Sequence, residues 1–254
     1  MMRMRWPSIL GLAAMTASML ACSGQVNQPH APIGPQIAPI GPQIPDQAVR
    51  YTCGGPGFSS DLFDQPATAE TEVHPSADAL RRAIAEVGLD IVLLPDAGYR
   101  LAYRDDVRAD YVAGDPDDGL VYAGFAVEGG EWRLQGWGGC RPEIVVDGMS
   151  LATWVLDPDL PAPGAATTEV TALVTERACT GATPMAGRLQ PPRIASSDTA
   201  VIIVFVAVPL EGDGFDCPGN PSTRVTFELP EPLGDRQLLD GAFFPPVEPV
   251  QPAS

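Results

Sequence analysis

Residues 120–137 read LVYAGFAVEGGEWRLQGW, and their pattern decides the fold class. Two strand-like runs, Leu120–Glu128 and Glu131–Trp137, flank Gly129-Gly130. A two-residue hairpin turn needs positive φ at its centre, which glycine adopts without steric cost, so the stretch predicts an antiparallel hairpin. Upstream, Tyr99, Leu101 and Tyr103 alternate with Arg100, Ala102 and Arg104, the period of a strand. Asp105-Asp106 marks a turn, Val107–Ala113 a further strand, and Asp115-Pro116-Asp117-Asp118-Gly119 another turn. The expectation is a meander of about four antiparallel strands.

One helix precedes the meander. Pro75 suits the first helical position and Gly88 the residue just past the last turn. Ala77, Leu80, Ile84 and Val87 form one apolar stripe, and Arg81 and Arg82 lie off it, toward solvent. His74 falls at the N-cap, and with no partner identifiable it reads as structural rather than catalytic. Helix and meander together make a small α+β domain over residues 50–143.

Beyond residue 143 the pattern is strands alone: Ala152–Asp157, Glu169–Arg177, Thr199–Val208 and Arg224–Leu229, separated by proline-rich turns. The run from Val201 to Val208 is apolar on both faces, which marks a central strand. A β-sandwich-like domain over 144–246 is the expectation, followed by a disordered tail at 247–254. The fold class is therefore mainly β with one helix.

Composition excludes several chemistries. All 15 basic residues are arginine, so no lysine Schiff base, Walker lysine or Ser-Lys pair is available. Of two histidines, His30 lies in a proline-rich stretch, which leaves His74 alone and excludes two-histidine zinc sites. No metal or cofactor is expected. The net charge of −17 makes the chain a poor partner for nucleic acid or anionic lipid, where basic patches are needed.

The amino-terminal stretch carries an address. Arg3 and Arg5 precede an apolar run from Ile9 to Ala21, too short to span a bilayer but right for the apolar region of a secretory signal over residues 1–21. The run ends Ser18-Met19-Leu20-Ala21-Cys22. This resembles the lipobox of bacterial lipoproteins, with Met19 where leucine is usual. The resemblance covers the first 22 residues. It implies that Cys22 receives a diacylglyceryl group, that cleavage precedes it, and that the new amino terminus is acylated, with palmitate or a similar chain. The plain alternative is an ordinary signal peptide with Cys22 incidental. Two or three acyl chains on one residue would hold the protein at a membrane, where one alone anchors marginally.

Residues 22–49 follow as a tether in which APIGPQI occurs twice, at 31–37 and 38–44. Prolines at that density forbid helix and favour extended polyproline-like chain of about 3.1 Å per residue. The stretch reads as a stalk, or as a docking peptide for a proline-binding partner.

Four cysteines remain, Cys53, Cys140, Cys179 and Cys217, an even number that suits disulfides in an exported protein. Three connectivities are open. Cys53–Cys140 with Cys179–Cys217 is favoured, since neither pair crosses the junction at 143. A four-cysteine metal site is the rival reading, but no C-x-x-C occurs. Around Glu176-Arg177-Ala178-Cys179, Cys217-Pro218-Gly219-Asn220-Pro221 and Glu231-Pro232-Leu233-Gly234-Asp235-Arg236, the chain resembles a pattern recurring in uncharacterised exported proteins of high-GC bacteria. That resemblance implies a family and brings no activity.

Candidate chemistry is sparse. Asp115, Asp117 and Asp118 lack the spacing of a calcium loop, and a turn is the plain reading. Ser150 lacks the glycine two places on that a nucleophile elbow needs. Trp132 and Trp137 could form a stacking platform for a sugar or peptide. Five residues apart, they fall on opposite faces of a regular strand, one in the core and the other exposed or at a bulge. A carboxylate pair could run glycoside hydrolysis without histidine or lysine, but 32 acids give no means of selecting one. The sequence therefore points to a lipid-anchored envelope protein on the extracytoplasmic side, binding an envelope protein or glycan. A carboxylate-dependent hydrolase acting on envelope glycans is the alternative.

Overall fold

In the computed structural model, residues 49–87, 94–212 and 214–249 are described. The signal, Cys22 and the tether up to residue 48 lie outside them. The chain runs β1 (Arg50–Thr52), β2 (Phe58–Ser59), two 3-10 turns (Ser60–Asp64 and Ala69–Thr71), α1 (Pro75–Val87), β3 (Tyr99–Arg104), β4 (Arg108–Asp115), β5 (Gly119–Glu128) and β6 (Glu131–Cys140). It continues with β7 (Glu143–Ile144), β8 (Ser150–Leu156), β9 (Glu169–Glu176), β10 (Arg193–Ser196), β11 (Ala200–Ala207), β12 (Thr223–Glu228) and β13 (Gln237–Asp240). The protein is mainly β with one α-helix among the described residues.

The meander forms as its turns dictate, in the order β3-β4-β5-β6, all antiparallel. Gly129 (φ 61°) and Gly130 (φ 85°) supply the positive φ of the β5–β6 turn. Asp115 Oδ1 accepts the Asp117 N–H at 2.9 Å, an Asx turn that closes β4 onto β5. The sheet is covered on both faces. Tyr99, Tyr111, Ala123 and Phe125 pack under Leu80 and Ala83 of α1. On the opposite face, Val112 meets Phe58 and Leu62 of the amino-terminal strap. Residues 109–113 of β4 are accordingly buried without a break.

Asp110 is the buried charge on the strap face, where Arg108 Nε donates to both its oxygens (3.1 and 2.9 Å) and the Tyr122 hydroxyl to one (2.9 Å). Burial pushes the Tyr122 pKa up, and the hydrogen bond to Asp110 adds to the effect.

The second region is built around β11. Its first half pairs with β10 on one side and, in parallel, with β13; its second half pairs with β8, which leads on to β9 and β12. Two half-sheets thus share one strand. They close on one core in which Trp154, Phe205 and Phe227 meet edge to face. Val201, Ile203 and Phe205 face that core, while Val204 and Val206 are buried on the other side, as a central strand requires. The parallel strand β13 and the short β1, β2, β7 and β10 were not expected from the sequence.

The two regions are stitched together by backbone. Tyr51 pairs with Ile144, and Ile144 N–H donates to the Ala242 carbonyl (2.9 Å). Phe244 N–H donates to the Pro142 carbonyl (2.9 Å) and stacks on Phe63. Val247, where the sequence suggests that the tail starts, exchanges two backbone hydrogen bonds with Asp240 (2.7 and 3.1 Å). Residues 250–254 lie outside the described residues.

Both favoured disulfides form. Cys53–Cys140 joins the end of β1 to the end of β6 with Cα atoms 5.8 Å apart. Cys179–Cys217 ties the exit of β9 to the approach of its antiparallel neighbour β12, with Cα atoms 4.8 Å apart. Asn220 reinforces the second bridge by donating to the Glu176 and Ala178 carbonyls.

Candidate binding site at the edge of the meander

Strand β3 is an edge of the meander, and residues 60–72 cross it. An uncovered edge leaves backbone donors unpaired, and here a side chain satisfies them. The Glu70 carboxylate accepts the Gly98 and Tyr99 N–H groups at 3.1 and 3.2 Å. Arg100 Nε donates to the Gln65 carbonyl at 3.1 Å. Farther along, Arg104 grips Glu72 with two parallel bonds of 2.7 and 2.6 Å. That paired guanidinium holds the Glu72 carboxyl below the usual range.

Between these clamps lies a pocket of about 220 Å³. Leu62, Pro66, Ala69 and Leu101 give it an apolar wall. Gln65, Thr68, Glu72 and Arg100 supply its polar groups.

A polar chain runs inward from Glu72. Arg104 Nη2 also donates to the Tyr111 hydroxyl (3.3 Å), which lies 2.6 Å from Ser76 Oγ. His74 Nδ1 is 2.7 Å from Ser76 Oγ and accepts the Ser76 N–H at 3.1 Å. His74 is therefore the cap expected of it, and the partners invisible in the sequence are Ser76 and Tyr111. Ser76 is fully buried, so its hydroxyl is a packing group and not a nucleophile open to substrate.

Trp132 and Trp137 do not fall on opposite faces. Leu134 pairs with Phe125 and Gly136 with Gly124, so Gln135 is an extra residue without a partner. This bulge resets the alternation. Trp132, opposite Val127, and Trp137, opposite Ala123, then share the face on which α1 lies. Trp132 packs into that core with its ring 5.9 Å from His74, while Trp137 is 44 % exposed. The two rings share a face without forming one platform, since one is packed and the other open.

Elsewhere, Asp240 is buried in the second region. Its oxygens accept the Ala242 N–H (2.9 Å) and the Trp154 N–H (3.3 Å). Burial pushes its pKa up to about 6 against these bonds. Ser150 is also buried and its hydroxyl has no partner among the described residues. Among the described residues no group of three or more His, Cys, Asp or Glu gathers at metal-holding distance. No helix among them is long and apolar enough to cross a membrane. Set against protein-family models, curated proteins and solved structures, the chain matches none.

Proposed function

We propose that this chain is a lipid-anchored protein of the bacterial envelope, held on the extracytoplasmic side through Cys22, and that it acts by binding. The supporting observation is the use of its five cysteines. Four pair within the fold as two bridges, a pattern suited to an oxidising compartment. The fifth, Cys22, stands at the lipobox-like sequence. The repeated APIGPQI stretch then serves as a stalk between membrane and fold. The pocket beside β3 is the binding site this reading favours, with an envelope protein or glycan supplying the ligand.

The hydrolase alternative has one carboxylate of raised pKa, Asp240, to recommend it. Both its oxygens are engaged by backbone N–H groups inside the second region, whereas the pocket lies in the first. Binding is therefore the better supported reading. The test is fractionation of cells expressing the Cys22→Ser variant. The variant should leave the membrane fraction and lose the mass of its acyl chains, and unchanged retention would overturn the anchoring.

A further inference from the structure

We infer that the pocket between the 60–72 strap and β3 takes a small monocarboxylate, with Arg100 as its counter-ion. The inference rests on the binding reading above and names the ligand class for that site. Arg81, Arg104 and Arg108, the other arginines around this edge, each pair with a carboxylate. Arg100 pairs with none among the described residues, in a chain of net charge −17. One of its five N–H donors is spent on the Gln65 carbonyl, and its guanidinium carbon sits 5.8 Å from the Phe63 ring centre. The head is thereby fixed in place while its remaining donors are left for a planar, two-oxygen acceptor.

The rest of the pocket narrows the choice. A pocket of about 220 Å³ suits a small ligand. Glu72 also lines the pocket and its carboxylate already engages Arg104, so Arg100 is left as the counter-ion for one carboxylate. Leu62, Pro66 and Leu101 ask for a short apolar body, and Thr68 and Gln65 for one hydrogen-bonding group. Both walls are tied down before any ligand arrives, which reduces the ordering cost of binding.

The probe is N-acetylalanine, compared with its uncharged amide, titrated at low salt into the full disulfide-bonded chain. Arginine Nε–H resonances and calorimetry are read together. The acid should bind, move the Arg100 resonance, and lose at least about tenfold in affinity in Arg100→Gln. Arg100→Lys should recover part of that loss, and Arg133→Gln should change nothing. Equal binding of acid and amide would overturn the carboxylate class while leaving a binding pocket in place. Binding unaffected by Arg100→Gln, or no binding of either probe, would overturn the inference. The envelope reading is decided separately by the Cys22→Ser fractionation.

Discussion

Ser76 Oγ lies 2.6 Å from the Tyr111 hydroxyl, and both residues are buried, one in the first turn of α1 and the other in the middle of β4. The contact sets where the amino terminus of the helix sits on the sheet. Tyr111→Phe should cost about 0.5–1.5 kcal/mol, because Ser76 loses one hydrogen bond and keeps the one to His74. Ser76→Ala should cost a similar amount. The double variant should cost clearly less than the sum, since the two groups serve each other. Urea unfolding of the four proteins checks this, and strictly additive losses would show that the hydroxyls do not interact.

Gly124 stands against the Tyr122 ring and Asp110, and a Cβ there would lie 2.7 Å from Tyr122 Cζ and 3.2 Å from Asp110 Oδ1. Gly124→Ala should therefore destabilise by about 1–3 kcal/mol. Gly136, its partner across the β5–β6 ladder, has open space around its Cα. Gly136→Ala should stay within about 0.5 kcal/mol, as surface changes away from such contacts do. Equal effects at the two sites would contradict the packing described for the Asp110 cluster.

Asp240 gives a stability that depends on pH with a definite sign. Its carboxyl titrates near 6 in the folded chain against 3.8 for the ordinary side chain. Between those values the folded state holds a proton that the unfolded chain has released, so stability falls as pH rises through the window. Above about pH 6 the full cost is present, of order 3 kcal/mol. Asp240→Asn should flatten the difference between urea midpoints at pH 4.5 and 7 relative to the parent. An unchanged difference would show that Asp240 is not the group responsible.

The two disulfides close loops of different length, with partners 87 and 38 residues apart. Chain-entropy arithmetic gives about 4–5 kcal/mol for the first and about 4 kcal/mol for the second. Replacing Cys53 and Cys140 together by alanine should lower the thermal midpoint at least as far as replacing Cys179 and Cys217. Peptide mapping without reductant should recover these two pairs and no others.

Local signals account for what could be read from the sequence. Gly129-Gly130, the period of two from Tyr99 to Tyr103, and the apolar stripe from Ala77 to Val87 each state a backbone preference in a few adjacent residues, while the helix end expected at Gly88 lies outside the described residues. Those elements form where expected. The apolar run from Val201 to Val208 likewise marked β11 as central. The misses are features defined by distant partners. Strand β13 is four residues long, contains Gln237 and a buried Asp240, and exists because β11 offers it a parallel edge.

Gly136 follows Gln135 and signals that a bulge is possible there, but only the pairing with β5 fixes its place and so brings Trp137 onto the face of Trp132. The pocket was invisible for the same reason. Gln65, Glu72 and Arg100 are ordinary surface residues until the strap crosses β3. The cysteine pairing was legible because few alternatives existed.

The backbone stitch from residue 237 to 247 has a consequence for the order of folding. It adds the parallel partner of β11, accepts hydrogen bonds from Ile144 and donates them to Pro142. Every strand it touches precedes it, some by about a hundred residues. A chain made or threaded from its amino terminus can assemble the meander early, since those contacts are between neighbours. The shared strand of the second region stays half-paired until the stitch arrives. Vectorial emergence would therefore leave one exposed edge to the last moment, and that edge is where a misfolding or chaperone-bound intermediate should be sought.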